Sequence, residues 1–417
     1  MFRSRFNLGT FASLLFLAAC GGGKSPSDSP ANISATAGDS RAIIRWDQQS
    51  DLNYWIFRAR APLITRDDYS KFPEARIDAP VNSPRAVTGL TNDETYSFVM
   101  NATKGNGPAG PSSSSISAVP RLAGETWTVL PVLDGAANAN DVIFSTDKFY
   151  VVGNNATIFE GIETLDATDN TKNKITWTKR AAPTGITQDL YGLVFNSGAT
   201  RFVAVGAGGK VLISSDAITW SATDISSSAT PKLNSVAFGI GVYVAVGDTG
   251  AIYSSSDAAT WVERTSVTGE NLNDVAFLSG RFVTVGANGF IATSTDGVTW
   301  TQRTSPSTQG LNASAFGSNK FIVVGNGGTA LTSTDGETWT AATSLTPAPT
   351  QNLYDVYFGS RFIAVGAGGV IVPFTVSTAG DLTWLVIASG TSDLFATAYG
   401  LGANVAAGSA GANSYSF

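Results

Sequence analysis

Three aspartates occupy comparable places along the chain and could supply paired carboxylates. Asp141, Asp274 and Asp355 each stand at the start of a short apolar segment, and they are called the inner-strand aspartates below. Two carboxylates at a suitable separation are sufficient for glycoside hydrolysis. No neighbouring pattern raises the pKa of one above another, as that chemistry requires. We therefore favour the interpretation that each bonds backbone at a strand entrance, with a glycoside hydrolase as the alternative.

A second set of residues stands immediately before the aspartate position in seven successive segments. This mouth set consists of Asn140, Tyr191, Asn234, Asn273, Asn312, Tyr354 and Phe395. Amides hydrogen-bond hydroxyl or peptide groups and aromatic faces stack on apolar ones, a mixture typical of sugar or peptide sites. The mouth set is thus the predicted ligand site. Strand-entry polarity combined with packing between sheets is the other interpretation.

Composition excludes several classes of function. The chain contains no histidine, so a Ser-His-Asp or Cys-His catalytic group is excluded. A net charge of −6 argues against nucleic acid, which needs clustered lysine and arginine. The segment DATDNT at 166–171 offers oxygen ligands without the spacing of a calcium loop. No metal and no cofactor are expected.

The segments carrying these residues belong to a repeat. Each unit reads L-N-x-V-A-F, then F-V-A-V-G, then S-[ST]-D-[AG]-x-T-W, and its tryptophans recur about 40 residues apart. They are Trp127, Trp177, Trp220, Trp261, Trp300, Trp339 and Trp384. A repeat of this length with four short strands is typical of a β-propeller blade. We predict a seven-bladed propeller over residues 121–417.

The repeated S-x-D-x-x-T-W phrase has a structural interpretation. The aspartate should accept backbone N–H bonds in the hairpin turn between the third and fourth strands, and the tryptophan should pack against the next blade. The last unit ends before any T-W strand, whereas Trp127 precedes the first L-x-x-V-x-F strand. The start of the domain is therefore predicted to supply the outer strand of the seventh blade and close the ring.

The phrase resembles the Asp-box, or bacterial neuraminidase repeat, although it is one residue shorter in its four clear copies. The whole ring resembles propellers of the photosystem II stability/assembly-factor type more than a neuraminidase. Neuraminidases bind a carboxylate through three convergent arginines. Here Arg201, Arg281 and Arg361 fill the same place in different repeats, so they cannot converge. The resemblance implies the fold, with an assembly factor for an envelope complex as one possible function.

The N-terminal part contains three further predicted segments. Residues 1–19 have the basic and apolar character of an export signal, and Leu17-Ala18-Ala19-Cys20 resembles the bacterial lipobox. That resemblance implies acylation of Cys20, and Gly21 after it implies the outer membrane. Residues 20–30 form a flexible tether. Residues 31–120 resemble a fibronectin type III sandwich, on Trp46 and the Leu90–Tyr96 spacing.

Taken together, these features predict an all-β, lipid-anchored cell-envelope protein. It is expected to be monomeric, with its propeller binding a protein or glycan without catalysis. The membrane is its expected partner through Cys20, and nucleic acid is not.

Overall fold

The computed structural model describes residues 26, 28–121, 127–133, 137–165, 173–225, 231–344, 346–388, 390–400 and 402–416. These residues form β-strands joined by turns and one-turn 3-10 segments, so the all-β prediction is confirmed. The chain divides into two compact units, residues 1–120 and 121–417. Among the described residues, no helix has both the length and the apolar character needed to cross a bilayer. The predicted signal segment, Cys20 and the DATDNT segment lie outside the described residues.

The first unit contains two antiparallel sheets. One has the order β1-β2-β5, formed by Ser34–Gly38, Arg41–Arg45 and Arg85–Thr88. The other has the order β4-β3-β6-β7, formed by Arg76–Val81, Asn53–Arg60, Tyr96–Thr103 and Ile116–Ala118. A 3-10 turn, Tyr69–Lys71, lies between β3 and β4. Residues of both sheets share one core that includes Trp46, Tyr54 and Phe98. The hydroxyl of Tyr96 accepts the N–H of Thr91 at 3.0 Å.

The described residues of the second unit form seven antiparallel sheets, numbered here in chain order. Sheet 1 is β9 to β12, Ala139–Ser145, Lys148–Gly153, Thr157–Leu165 and Asn173–Arg180. Sheet 2 is β13 to β16, Leu190–Asn196, Arg201–Gly206, Lys210–Ser214 and Ser221–Asp224. Sheet 3 is β17 to β20, Leu233–Gly239, Val242–Gly247, Ile252–Ser255 and Val262–Glu263. Sheet 4 is β21 to β24, Leu272–Leu278, Arg281–Gly286, Ile291–Ser294 and Thr301–Arg303.

The remaining three sheets follow the same plan with small changes. Sheet 5 is β25 to β28, Leu311–Gly317, Lys320–Gly325, Ala330–Ser333 and Thr340–Ala341. Sheet 6 is β29 to β33, Leu353–Phe358, Phe362–Gly366, Val370–Val376, Leu382–Trp384 and Ile387–Ala388. Sheet 7 joins β34 to β36, Leu394–Gly400, Ala403–Gly408 and Asn413–Ser416, to β8, Thr128–Val129. In each sheet the first and last strands, β34 and β8 in sheet 7, are called inner and outer below.

A one-turn 3-10 segment follows the second strand of every sheet. These segments are Asn154–Ala156, Ala207–Gly209, Asp248–Gly250, Ala287–Gly289, Asn326–Gly328, Ala367–Gly369 and Ser409–Gly411. The middle residue of each has left-handed backbone angles, so the chain reverses sharply into the third strand.

Apolar side chains between consecutive sheets form the core of the second unit. Each inner strand lies against the next, β9 to β13 and onward to β34, and β34 lies against β9. Seven clusters of buried residues fill the spaces, including one shared by sheets 7 and 1 that contains Val405, Tyr415 and Val151. Because a four-stranded sheet this small cannot cover both its faces alone, the sheets depend on one another for burial.

The aspartate of the repeated S-x-D-x-x-T-W phrase holds its hairpin turn through backbone hydrogen bonds, as the sequence predicts. In sheet 4, Oδ1 of Asp296 accepts the N–H groups of Val298 at 2.8 Å and Thr299 at 2.7 Å. These bonds hold the pKa of Asp296 down to about 2. The tryptophan prediction was wrong in direction, because Trp300 packs with Val244 and Val246 of the preceding sheet and not the following one.

The pairing of β8 with β36 gives a stability prediction. Val129 and Ser414 are directly opposed in that pair. In a Cys20→Ser background, replacing both with cysteine should form a cross-strand disulfide that stabilises the second unit by about 2–4 kcal/mol, because it closes a very long loop. Thermal unfolding with and without reductant measures the difference, and the single variant Val129→Cys is the control. A reducible bond that fails to raise the melting temperature would contradict it.

Candidate functional site

The structure brings the whole mouth set together around one cavity. The cavity measures about 540 Å³ and all seven mouth-set residues line it. The other lining residues are Asn138, Asn154, Lys232, Asp248 and Asn271. The inner-strand aspartates do not line this cavity, although each comes directly after a mouth-set residue in the chain. Positions about 40 residues apart in sequence therefore converge, as the predicted repeat requires.

A β-bulge in each inner strand directs the mouth-set side chain. In sheet 3, Leu233 pairs with Gly247 and Ser235 pairs with Val246, so Asn234 is the extra residue. The same irregularity falls at the mouth-set residue in all seven sheets. Because an extra residue bends its strand and re-aims its side chain, the bulges turn seven equivalent positions toward one end of the unit.

The glycine that ends each second strand makes room for the bulge. At Gly247 an added Cβ would collide with the carbonyl oxygen of Lys232, two residues before Asn234. The same oxygen accepts the N–H of Asp248 at 3.0 Å. Equivalent collisions occur at Gly153, Gly206, Gly286, Gly325, Gly366 and Gly408. The glycine that ends each second strand is therefore required because two backbone segments approach closely there. This close approach accompanies the bulge that directs the mouth-set side chain.

The asparagines of the mouth set use their N–H groups to link neighbouring sheets. Nδ2 of Asn234 donates to the Leu272 carbonyl of sheet 4 at 2.9 Å and to Asp248 at 2.9 Å. Nδ2 of Asn140, Asn273 and Asn312 donates in the same way to the carbonyls of Leu190, Leu311 and Leu353. A carbonyl only accepts hydrogen bonds, so the atom facing it must be the amide nitrogen. The amide oxygens therefore point elsewhere.

The aromatic members lie on the other sheets. The rings of Tyr354 and Phe395, in sheets 6 and 7, are 5.6 Å apart at an interplanar angle of 56°. Tyr191 in sheet 2 has Nζ of Lys232 4.0 Å from its ring centroid. Its hydroxyl donates to Asp189 at 3.3 Å, and burial together with the Asp189 charge raises the pKa of Tyr191. The cavity thus has an amide side, formed by sheets 3 to 5, and a more aromatic side.

The inner-strand aspartates bond backbone, but chiefly that of the neighbouring strand. Oδ2 of Asp141 accepts the N–H of Leu193 at 2.6 Å, and Oδ2 of Asp355 accepts that of Thr397 at 2.7 Å. Oδ2 of Asp274 accepts both the N–H and the hydroxyl of Ser314, at 3.0 and 2.9 Å. Each aspartate therefore ties its sheet to the next one. The favoured prediction named the correct kind of partner without indicating that it lies on another sheet.

The carboxyls of these aspartates have raised pKa values. Each side chain is half-buried by accessible area, yet protein surrounds the carboxyl closely enough for desolvation to dominate. Desolvation, followed by the charges of Asp355 and Asp274, raises the pKa of Asp141 to about 8. Desolvation raises that of Asp355 to about 7, and it also raises that of Asp274 despite the serine hydrogen bonds. The sequence contained no sign of these shifts.

A row of rim residues, which the sequence analysis missed, lies two positions before the mouth set. Asn271 accepts the N–H of Thr249 at 2.9 Å, and Asn352 accepts that of Gly327 at 2.9 Å. Asn138 accepts the N–H of Ala410, which links sheet 1 to sheet 7. Each of these three side chains holds the left-handed residue of the turn in the preceding sheet. Short Asn or Asp side chains at a fixed offset from L-N were the signal that could have revealed them. Among the described residues, no group of acidic or cysteine side chains is arranged to hold a metal ion.

Comparisons with known proteins bear on the second unit. A family model described as a DUF6242 beta propeller domain matches residues 228–361. A structure of YCF48 bound to D1 peptide aligns with a TM-score of 0.54 and 18% identity, covering 70% of this chain and 94% of that one. YCF48 from Cyanidioschyzon merolae aligns with a TM-score of 0.53 and 18% identity, covering 70% and 98%.

The second unit is a β-propeller. Virginiamycin B lyase from Staphylococcus aureus also aligns, with a TM-score of 0.58, 12% identity and coverage of 70% and 99%. Among curated protein sequences no match is found. Identities this low establish the propeller fold alone, because unrelated activities share it.

Proposed function

We propose that this protein is an exported, lipid-anchored binding or scaffold protein whose propeller mouth recognises a peptide or glycan without transforming it. The observation that carries the proposal is the convergence of the mouth set on one cavity of about 540 Å³. That size suits a peptide side chain or a sugar ring, and it falls within the range of ordinary ligand pockets. Amide oxygens and aromatic faces around it offer both polar and apolar contacts.

The surrounding architecture belongs to the same proposal. We take the seven sheets to form a closed seven-bladed ring, supported by the cyclic order of inner strands and by the pairing of β8 with β36. The first unit is proposed to be a fibronectin type III-like spacer, supported by its three- and four-stranded sheets. The lipobox-like sequence ending at Cys20 supports anchoring at the outer membrane.

A protein ligand agrees with one of the structural neighbours. YCF48 is a propeller of the same fold, and its structure is described with a bound D1 peptide. By analogy with the fold, a peptide of an envelope protein is a reasonable ligand here, and assembly of an envelope complex would be the corresponding role. The analogy suggests only the class of ligand.

A glycoside hydrolase is the second candidate, favoured by one observation. The raised pKa of Asp141, at about 8, would keep that carboxyl protonated near neutral pH, as a general acid requires. Against this, both oxygens of Asp274 and of Asp355 already accept hydrogen bonds from the protein. A carboxylate committed to linking strands is poorly placed to exchange protons with a substrate.

One experiment separates binding from hydrolysis. The purified protein is screened on peptide and polysaccharide panels, with bound ligand and released reducing sugar measured in the same wells. We expect binding without turnover, and at least about a tenfold loss of affinity in the double variant Tyr354→Ala/Phe395→Ala, because packing of a ligand against two aromatic rings carries such energies. Glu263→Gln, on the outer strand of sheet 3, is the matched control. Turnover by the wild-type protein that is lost in Asp274→Asn would instead establish the hydrolase. If the double variant bound the ligand as tightly as the wild type, the mouth set would not be the binding site.

A further inference from the structure

The cavity of the proposed binding site displays hydrogen-bond acceptors more than donors. The amide nitrogens of Asn140, Asn234 and Asn273 are committed to backbone carbonyls of the next sheets. Their Oδ1 atoms accept no hydrogen bond from any residue that the structure describes. A ligand that enters the cavity therefore meets oxygen lone pairs, which favour N–H donors.

A lysine in the cavity lining shows how the cavity accommodates a positive charge. Lys232 holds its ammonium group 4.0 Å from the centroid of the Tyr191 ring, a cation–π geometry. The Tyr354–Phe395 pair offers a second aromatic surface to the same cavity. Among the described residues, no cation–π contact involves either ring of that pair. The second surface thus has the same chemistry as the first and is open to a ligand.

The charged lining residues of the cavity carry one charge of each sign. They are Lys232 and Asp248. Asp141 and Asp355, each directly after a mouth-set residue, have pKa values of about 8 and about 7, so near neutral pH Asp141 is mostly protonated and Asp355 about half protonated, and opposite charge from a ligand would favour their ionised forms. A carboxylate or phosphate ligand would face these groups without a cluster of arginines to receive it.

We propose that the mouth binds the cationic side chain of a peptide, a guanidinium or ammonium group, with its head among the amide oxygens and its stem against Tyr354 and Phe395. This inference rests on the proposed binding function and specifies its ligand class. Amide oxygens receive the N–H donors, the ring pair receives the apolar stem, and Asp248 in the cavity lining supplies the opposite charge. Lys232 opposes the ligand through like charge.

Three fluorescent probes test the proposal on the full protein. They are capped pentapeptides that carry arginine, citrulline or glutamate at the centre and are otherwise identical. Citrulline retains the shape of arginine without its charge. We expect arginine to bind at least about tenfold more tightly than citrulline, because charge-assisted bonds and cation–π contact both require the charge. Glutamate should bind least.

Two variants with opposite expected effects distinguish a specific change in binding from loss of the fold. Lys232→Gln should tighten binding of the arginine probe several-fold and leave the citrulline probe unchanged, whereas Tyr354→Ala should weaken the arginine probe. Tyr354→Phe, which keeps the ring, should retain binding, and Glu263→Gln is the distant control. A damaged fold cannot produce a gain of affinity that depends on probe charge.

The possible failures are distinguishable. Equal affinity for all three probes, lost in Tyr354→Ala, overturns the cationic ligand but leaves the proposed binding function standing. Absence of arginine-probe binding at millimolar concentration overturns the cationic ligand, and if the glycan and peptide panels are also silent it overturns the binding function too.

Discussion

Replacement of Asp141 by asparagine is expected to raise the melting temperature of the propeller at pH 8 and to change it little at pH 4. The pKa of Asp141 lies at about 8 in the folded protein against an ordinary value of 3.8. Above pH 4 the unfolded chain loses this proton while the folded chain retains it. The folded state therefore binds more protons than the unfolded state, and stability falls as pH rises from about 4 toward 8.

The size of this effect follows from the shift. One pKa unit corresponds to about 1.4 kcal/mol, so the loss between pH 4 and pH 8 should be on the order of a few kcal/mol. Asparagine carries no charge at either pH, and its Oδ1 can still accept the N–H of Leu193. The variant should remove most of the loss. For a domain of this size each kcal/mol corresponds to roughly 2–4 °C in melting temperature.

Differential scanning calorimetry from pH 4 to pH 9 measures this behaviour. Asp224→Asn is the control, because Asp224 is exposed on an outer strand and, within the part of the chain that the structure describes, pairs only with Lys210. A wild-type profile that rises through this range would contradict the assigned burial. Below pH 4 the opposite trend is expected, since the pKa values of Asp296 and Asp335 are depressed to about 2 and their turn bonds weaken on protonation.

Truncation of Trp300 to alanine should destabilise the propeller by about 3–5 kcal/mol, the usual cost of removing a buried indole. Trp300 is 6% exposed and packs between sheets 3 and 4. Its ring lies 6.5 Å from that of Phe282. Nε1 of Trp300 has no hydrogen-bond partner among the described residues, so the loss should come from packing alone.

The equivalent tryptophan of the next sheet provides a comparison. Nε1 of Trp339 donates to the carbonyl of Gly336 at 3.2 Å. Trp300→Phe should recover part of the stability that Trp300→Ala loses, whereas Trp339→Phe also leaves a buried carbonyl unpaired and should cost more. Calorimetric scans that follow the propeller transition compare the four proteins. A cost below about 1 kcal/mol for Trp300→Ala would show that the indole does not join the two sheets.

The sequence predicts those features of the molecule that follow from the regular spacing of repeated residues along the chain. The spacing of the tryptophans indicated the propeller, and the residue type of Asp296 indicated that its side chain holds a hairpin turn. Residues that precede the aspartate position were correctly grouped, because equivalent positions of a ring face the same end. These inferences need only periodicity and local hydrogen-bonding preference.

Features that depend on the approach of separate sheets were not predictable in the same way. The bulge at Asn234 needs the close backbone approach that Gly247 permits, and no local sequence feature indicates that contact. The side toward which Trp300 packs depends on the handedness of the sheet stack. The pKa of Asp141 depends first on burial in the assembled unit and then on two carboxyls that are more than 130 residues away in the chain. Each of these is a property of the assembled unit.

The pairing of β8 with β36 also determines when sheet 7 can form as the chain is synthesised. Thr128 and Tyr415 are opposed in that pair, although almost the whole propeller lies between them in the chain. A nascent polypeptide therefore cannot complete sheet 7 until Asn413–Ser416 have been translated. Contacts so distant form late, and until then β8 is unpaired and open to proteases and to other chains. A premature stop codon that removes β36 would thus leave sheet 7 incomplete and damage the protein far more than the loss of so short a strand suggests.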